Sequence, residues 1–469
     1  MRLTLRELLS LADVEVRNEH RLKGAVFTGV STDSRSVRKG DLFFALRGGR
    51  FDGHEFVSQA IARGARGVVV DRKADTGRYG EVPLIIVPDT VQTLGEVARL
   101  YRRRFRIPVV AIAGSNGKTT TKEMVAAVLR TTYRVLSTEG NLNNQIGVPL
   151  TLFRLDGRHR VAVVEIGTNH PGEIAYLCSI LEPTHGLITT IGREHLEFFK
   201  TMNGVADEEG ALFDNLRTRT GGVAIVNADD PRIRAKARRV KRKIRYGFGG
   251  KSLAVRGKMS RMDAKGCSSF RLSSRGSSKG SDVRMKVPGA HNAANALAAA
   301  AVGIVFKVSP AKIRKALEGF RPVSKRMEVV HVGQVTIFND TYNANPDSVI
   351  AAVQTLASAQ VSGKKIAVLA DMREMGAQEV EEHRRVGAEI GKIGVDYLLT
   401  YGPLGKHIHD AAKVQFAIHY NQKNMLAEYL AELVSPGDAV LVKGSRAMAM
   451  EDVVTFLQER LRTPGGRGK

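Results

Sequence analysis

The sequence predicts an α/β protein of three domains, and three observations carry that expectation. From about residue 89 onward, short apolar runs of strand length alternate with stretches of helical period. A glycine-rich turn, GSNGKTT at 114–120, joins one such strand to the next helix. Residues 1–88 differ, with short β-like runs between turn-rich segments such as STDSR at 31–35 and RGGRFDGH at 47–54. A chain of 469 residues exceeds one ordinary domain. We therefore divide it into a small leading α/β domain (1–88), a central parallel-sheet domain (89–320) and a Rossmann-like, doubly wound domain (321–469).

The elements follow in order. Residues 1–9 read as the start of a short amphipathic helix and lack the apolar core of a cleavable signal peptide. A helix precedes PVVAIA at 108–113, a buried strand, and helical spacing resumes at 121–130. VAVVE at 161–165, GLITT at 186–190 and GVAIV at 222–226 are apolar strands of the parallel-sheet type. The polar segment 251–282 reads as exposed hairpins or loop, and an alanine-rich helix at 291–305 closes the central block. Strands at 335–338, 365–369, 397–400 and 439–442 repeat the alternation, and the tail 463–469 reads as disordered.

Composition excludes several classes. No apolar run reaches the roughly 18 residues of a membrane helix. Two cysteines, Cys178 and Cys267, are too few for a disulfide framework or a cysteine metal site, which suits a reducing cytoplasm. The net charge of +25 stands out, concentrated at 102–106 and 232–245. It fits either a nucleic-acid binder or a solvated basic surface. The basic runs lack interleaved aromatics and any helix-turn-helix or zinc-finger spacing, which favours the second.

The loop at 114–120 carries the clearest chemistry. Between strand and helix, its backbone N–H groups converge on phosphate oxygens, helped by the helix N-terminus. Lys118 would reach the outer phosphates and the Thr119 hydroxyl would ligate magnesium. The strict Walker pattern asks for glycine at 112, where this chain has Ile112. The loop is thus a shortened variant of a nucleoside-triphosphate site; an ordinary glycine-rich turn with a surface lysine is the competing reading.

Other candidates lie at strand ends, where open α/β sheets bind ligands. Glu165 ends one strand and could hold magnesium, or be a solvated cap. His195, in IGREHL at 191–196, could be a metal ligand or a structural histidine. The amide cluster NLNNQIG at 141–147, DTYNANP at 340–346 and KGSR at 443–446 offer hydrogen-bonding groups, though each could be only a turn.

Together these residues resemble the Mur ligases, the ATP-dependent amide-forming enzymes of bacterial peptidoglycan. The resemblance runs in order through TDSR (32–35), FDGH (51–54), GSNGKTT (114–120), NLNNQIGVP (141–149), EIG (165–167), GREHLE (192–197), GAHNAAN (289–295), DTYNANP (340–346), DMREMG (371–376) and KGSR (443–446). The Asp-Asn-Pro-Arg motif of relatives that add diaminopimelate or lysine is absent. DMREMG takes its place, as in the branch that joins D-alanyl-D-alanine to UDP-N-acetylmuramoyl-tripeptide. A sibling ligase adding another amino acid or polyglutamate is the alternative.

The resemblance implies roles. Gly114, Ser115, Asn116, Gly117, Lys118, Thr119 and Thr120 would bind ATP, with Lys118, Glu165 and His195 as catalytic groups. Thr119, Glu165, His195 and Glu209 would form the magnesium shell. Asn292 and Asn295 would contact adenine, and Arg326 and Asp340 the nucleotide. Ser31, Asp33, Ser34 and Arg35, with the 47–54 segment, would hold the UDP part. Asn143, Asn144 and Thr168 would line the peptide channel, and Asn343 and Asn345 would also contact substrate. The implied partners are these two substrates and no nucleic acid, for a monomer without membrane insertion that serves cell-wall growth, cell shape and division. Glu209 marks a departure: the family carries a carbamylated lysine there, and we expect the glutamate to supply a carboxylate directly.

Overall fold

The computed structural model describes residues 1–49, 51–250, 252–275 and 280–462; the tail at 463–469 lies outside the described residues. Its chain divides into two compact units, Met1–Ala111 with Tyr133–Thr168 and Glu173–Thr184, and Ile112–Thr132 with Asn169–Gly172 and His185–Lys469. The division falls within the strand Val109–Ala113.

The first unit contains the leading five-stranded sheet. Its order is Glu15–Arg17, Leu84–Val87, Gly67–Asp71, Asp41–Phe44, Gly29–Ser31, parallel except for the first strand. Phe43, Val57, Val68, Val70 and Leu84 pack its core. The expected N-terminal helix is shorter than its pattern. Leu3–Thr4 instead pairs with Val26–Phe27, and Thr4 then caps Leu5–Leu8 through a capping box with Glu7. The helix Thr90–Arg103 starts at Asp89, whose carboxylate accepts the Val91 and Gln92 N–H groups. The strand Val161–Glu165 belongs to this unit and runs parallel to Val135–Ser137.

The second unit contains two sheet systems. Strands His185–Ile188, Val223–Asn227, Arg242–Gly247 and Val255–Met262 run parallel, and Cys267–Ser274 and Ser281–Pro288 continue antiparallel, so the described part of 251–282 is mainly antiparallel strand, while 251 and 276–279 lie outside the described residues. One face of this run packs on the helix Ala290–Val305, where small alanines allow close approach. The other sheet has the order Glu328–Val332, Val335–Asp340, Ala439–Lys443, Lys365–Ala370, Tyr397–Tyr401, Phe416–Tyr420. Beyond its leading hairpin it is parallel, with apolar clusters on both faces, as a doubly wound fold requires.

Candidate active site

The strand Val109–Ala113 is fully buried and ends in Gly114, with the helix Lys118–Arg130 beginning four residues later. Two glycines are required here. Gly114 has φ +118, and a Cβ on it would stand 2.4 Å from Thr189 Oγ1; Gly117 has φ +81, and its Cβ would stand 2.6 Å from Asn295 Oδ1. The loop is held from outside as well. Ser115 N–H donates to Thr190 O, and Ser115 Oγ accepts the Gly192 N–H at 2.8 Å. Asn116 N–H donates to Thr190 Oγ1, and Thr189 Oγ1 donates to Asn116 O at 2.6 Å. Thr189 and Thr190, read as strand from the sequence, lie just past its end and grip the loop instead.

Lys118 reaches Glu194, with Nζ 3.5 Å from Oε2. Glu209, fully buried on the helix Met202–Thr218, accepts the Gly114 N–H at 2.7 Å. Burial pushes the Glu209 carboxyl well above the usual carboxylate range, and the neighbouring Glu194 charge adds to that. Two buried carboxyls thus face one lysine, and Glu194 Oε1 and Glu209 Oε1 receive no hydrogen bond among the described residues. That excess of acceptors suits a proton or a cation. No group of three or more His, Cys, Asp or Glu side chains that could hold a metal occurs among the described residues. A hydrated ion carried on phosphate oxygens, needing few protein ligands, fits such a site.

His195 sits in the left-handed region at φ 46. Its Nδ1 lies 2.8 Å from Glu374 Oε2, and that hydrogen bond holds the Glu374 carboxyl below its usual range. Its Nε2 lies 4.0 Å from Glu194 Oε2. A carboxylate on one ring nitrogen orients the other for a ligand.

The last domain reaches the loop directly. Asn345 caps the helix Pro346–Ser358 and exchanges amide hydrogen bonds with Asn116, at 2.9 and 3.3 Å. Beside it, Asp340 and Lys443 form a buried ion pair at 2.6 Å across adjacent strands, and Lys443 also donates to Asn343 O. Asn343 Oδ1 accepts the Arg446 N–H, and Arg326 stacks on the Tyr342 ring at 3.8 Å. Asn292 donates to Pro288 O and accepts from Asn295, so an amide chain leads from Gly117 into the helix Ala290–Val305. His291 is half-buried, and its desolvation lowers its pKa.

In the first unit, Glu165 is buried at its strand end and accepts the Asn143 amide at 2.9 Å; Asn143 O receives the Gly167 N–H. Asn144 Oδ1 accepts the Ile146 and Gly147 N–H groups where the short helix Gly147–Leu152 begins, and Thr168 is buried beyond the strand. The Ser31–Arg35 turn closes on itself: Ser31 Oγ donates to Asp33 O and Ser34 Oγ to Gln59. The Arg35 guanidinium holds Asp33 down to about 2. His54 is buried between Asp52 and Asp71, with Arg47 bridging the same two acids; Arg50 lies outside the described residues.

Among the sequence-assigned residues, the structure brings together the 114–120 loop, Glu209, Asn295 and Asn345, all in the second unit. Sequence reasoning missed Glu194 and Glu374, the acids facing Lys118 and His195. Glu194 stood beside His195 in the quoted motif, but nothing in the spacing signalled its partner.

Family comparisons agree with this geometry. The Mur ligase catalytic-domain family matches residues 26–102, the Mur ligase middle domain 112–303, and the Mur ligase glutamate ligase domain 325–446. UDP-N-acetylmuramoyl-tripeptide–D-alanyl-D-alanine ligase of Escherichia coli K12 is 38% identical over 445 residues, covering 93% of this chain and 96% of that one. The Bacillus subtilis 168 enzyme of the same name is 36% identical over 441 residues, covering 92% and 94%. A crystal structure of MurF from Acinetobacter baumannii superposes with a TM-score of 0.89 at 31% identity, covering 98% of this chain and 99% of that one. MurF from Thermotoga maritima in complex with ADP gives 0.81 at 28% identity, covering 92% and 97%. With three family domains in order and such relatives along nearly its full length, the chain belongs to the Mur ligase family.

Proposed function

We infer that the chain is an ATP-dependent, ADP-forming ligase that joins D-alanyl-D-alanine to UDP-N-acetylmuramoyl-tripeptide, a step in making peptidoglycan precursors. The observation that carries this reading is the match, at 36–38% identity over more than nine-tenths of this chain, to ligases of that name. The sibling-ligase alternative has no such support. The reading includes work in the cytoplasm as a monomer, and the domain boundaries near 88 and 320.

The residues fit the chemistry. The substrate carboxylate attacks the γ-phosphate of ATP to give an acyl phosphate, and the dipeptide amine displaces phosphate through a tetrahedral intermediate. Such a transfer needs positioning and charge neutralisation more than covalent help from the protein. The loop N–H groups and Lys118 supply the positive field around the phosphates. Glu194 holds Lys118 from one side, and Asn345 ties Asn116 in place. Magnesium neutralises phosphate charge when bound, with Thr119, Glu209 and His195 assigned to hold it and Glu165 assigned by resemblance. Asn295, Asn292, Arg326 and Asp340 are assigned to the nucleoside, the Ser31–Arg35 turn to the UDP moiety, and Asn143, Asn144, Thr168 and Asn343 to the peptide.

Phosphate release should require ATP, the UDP-linked tripeptide and D-alanyl-D-alanine together. Equal turnover with free D-alanine or glutamate would overturn the amine assignment. Turnover should not respond to added bicarbonate, because Glu209 already carries a carboxylate; a strong rise would contradict its assignment.

A further inference from the structure

The basic run at 232–245 plays no part in the site, yet the fold gives it a place. It spans the helix Pro231–Lys236, a short turn, and the strand Arg242–Gly247, which pairs with Val255–Met262 at the start of the antiparallel strands. On those strands Val255, Phe270, Leu272, Val283, Met285 and Val287 are buried on the side of the helix Ala290–Val305. Because side chains alternate across a strand, the intervening residues face outward. Those positions carry Lys243 and Arg245, then Arg256 and Lys258, then Arg284 and Lys286, all exposed. No carboxylate lies within ion-pair distance of these six among the described residues; Asp282, on the same side, pairs with Arg271 at 3.4 Å. The outward positions between them include Ser269 and Ser273. At the sheet edge, Arg271, Arg284, Lys286 and Arg314 line a recess of about 620 Å³ together with two acids, Asp282 and Glu318, so cations outnumber acids there four to two.

We propose that this face docks on an anionic lipid bilayer. The charges are laid out in two dimensions: same-side residues stand about 7 Å apart along a strand, and Arg256 and Lys258 are two strand spacings, about 10 Å, from the strand of Arg284 and Lys286, with Cys267–Ser274 between. A headgroup surface is a two-dimensional array of single negative charges, whereas a nucleic acid is a line of them. The face has no aromatic residue among these outward positions, and the chain has no tryptophan, so bases would find nothing to stack on. The named outward positions carry no large apolar side chain, with Met259, 40% exposed beside Lys258, as an apolar neighbour, so adsorption is electrostatic, superficial and reversible by salt. A bound enzyme keeps its loop site, which uses none of these residues.

The test is sedimentation of the full chain with vesicles of phosphatidylglycerol and phosphatidylcholine (1:1) against phosphatidylcholine alone, at low salt and at about 0.5 M salt, where the Debye length falls to a few ångströms. Binding is expected only to the anionic vesicles at low salt. The variant Arg256→Glu/Lys258→Glu/Arg284→Glu/Lys286→Glu should lose at least tenfold in partitioning while keeping its melting temperature and ligase turnover. A folded variant that binds like the wild type overturns the proposal, as does a wild type that ignores anionic vesicles or binds RNA in their place. Should the fourfold reversal not fold, Arg256→Gln/Lys286→Gln is expected to lose partitioning severalfold, and no loss overturns the proposal. A fluorophore on Ser273→Cys should shift with anionic vesicles only; an unchanged spectrum alongside binding would place the contact elsewhere and overturn it.

Discussion

Two regions of the second unit treat positive charge in opposite ways. Around the phosphate loop each functional cation is enclosed and matched: Lys118 faces Glu194, and Lys443, 3% exposed, faces Asp340. On the outer face of the antiparallel strands Arg256, Lys258, Arg284 and Lys286 stand in solvent, and none of the four side chains is ion-paired among the described residues. The sequence reads all of them as Lys or Arg in a chain of charge +25. Enclosure separates a cation that fixes a reacting phosphate from one that acts only through a long-range, salt-screened field. From this pairing we expect the cations at the loop to tolerate no substitution, while the face should tolerate several.

The largest effect should come from breaking an enclosed pair. Asp340→Ala leaves Lys443 buried without its partner and should cost about 3–5 kcal/mol of stability; chemical denaturation would measure it, and a loss under 1 kcal/mol would dissolve the contrast. Lys118→Ala should lower turnover by about 10²–10³-fold or more with the fold kept, as removal of a group aimed at developing charge does. Retained turnover would remove the loop assignment. Gly114→Ala should weaken nucleotide binding and destabilise by about 1–3 kcal/mol, since φ +118 and the Thr189 contact both oppose a Cβ; calorimetric ADP titration and thermal melts read both effects.

Glu209→Gln probes the loop more gently. Burial raises the Glu209 carboxyl well above its ordinary value of 4.5, so without a bound cation the folded protein keeps this proton at pH values where the unfolded chain has released it, whereas a bound cation favours the carboxylate. Stability contributed by that proton is full below this value and is lost as pH rises toward the elevated folded pKa. In divalent-free buffer the glutamine variant should therefore gain on the wild type as pH climbs from about 5 to 8; a difference that stays flat with pH would refute the buried, protonated carboxyl. The smallest effect belongs to the outer face, where each charge change should move stability by no more than about 0.5 kcal/mol.

What the sequence disclosed follows the same division. Strand, loop and helix at 109–130 were legible because apolar runs, glycines and the Lys-Thr-Thr sequence are local signals. The strand Val161–Glu165 was read to the residue, and Glu165 was placed at a ligand-binding edge for that reason. Glu194 and Glu374 were not recognised as partners, because each is paired by an element brought near only in the folded chain. Asn345 was assigned to substrate, but its observed bonds are a helix cap and a tie to Asn116, since an Asn-Pro pair in sequence does not say what the amide will meet. The basic run at 232–245 was visible as charge, while its continuation over neighbouring strands depended on register, which composition does not encode.

The most direct test of the account is phosphate release from ATP by the purified chain, with UDP-N-acetylmuramoyl-tripeptide and D-alanyl-D-alanine supplied singly and together. Release only with both substrates, and lost in Lys118→Ala, is the predicted result. Release that ignores D-alanyl-D-alanine, or that survives in Lys118→Ala, would contradict it.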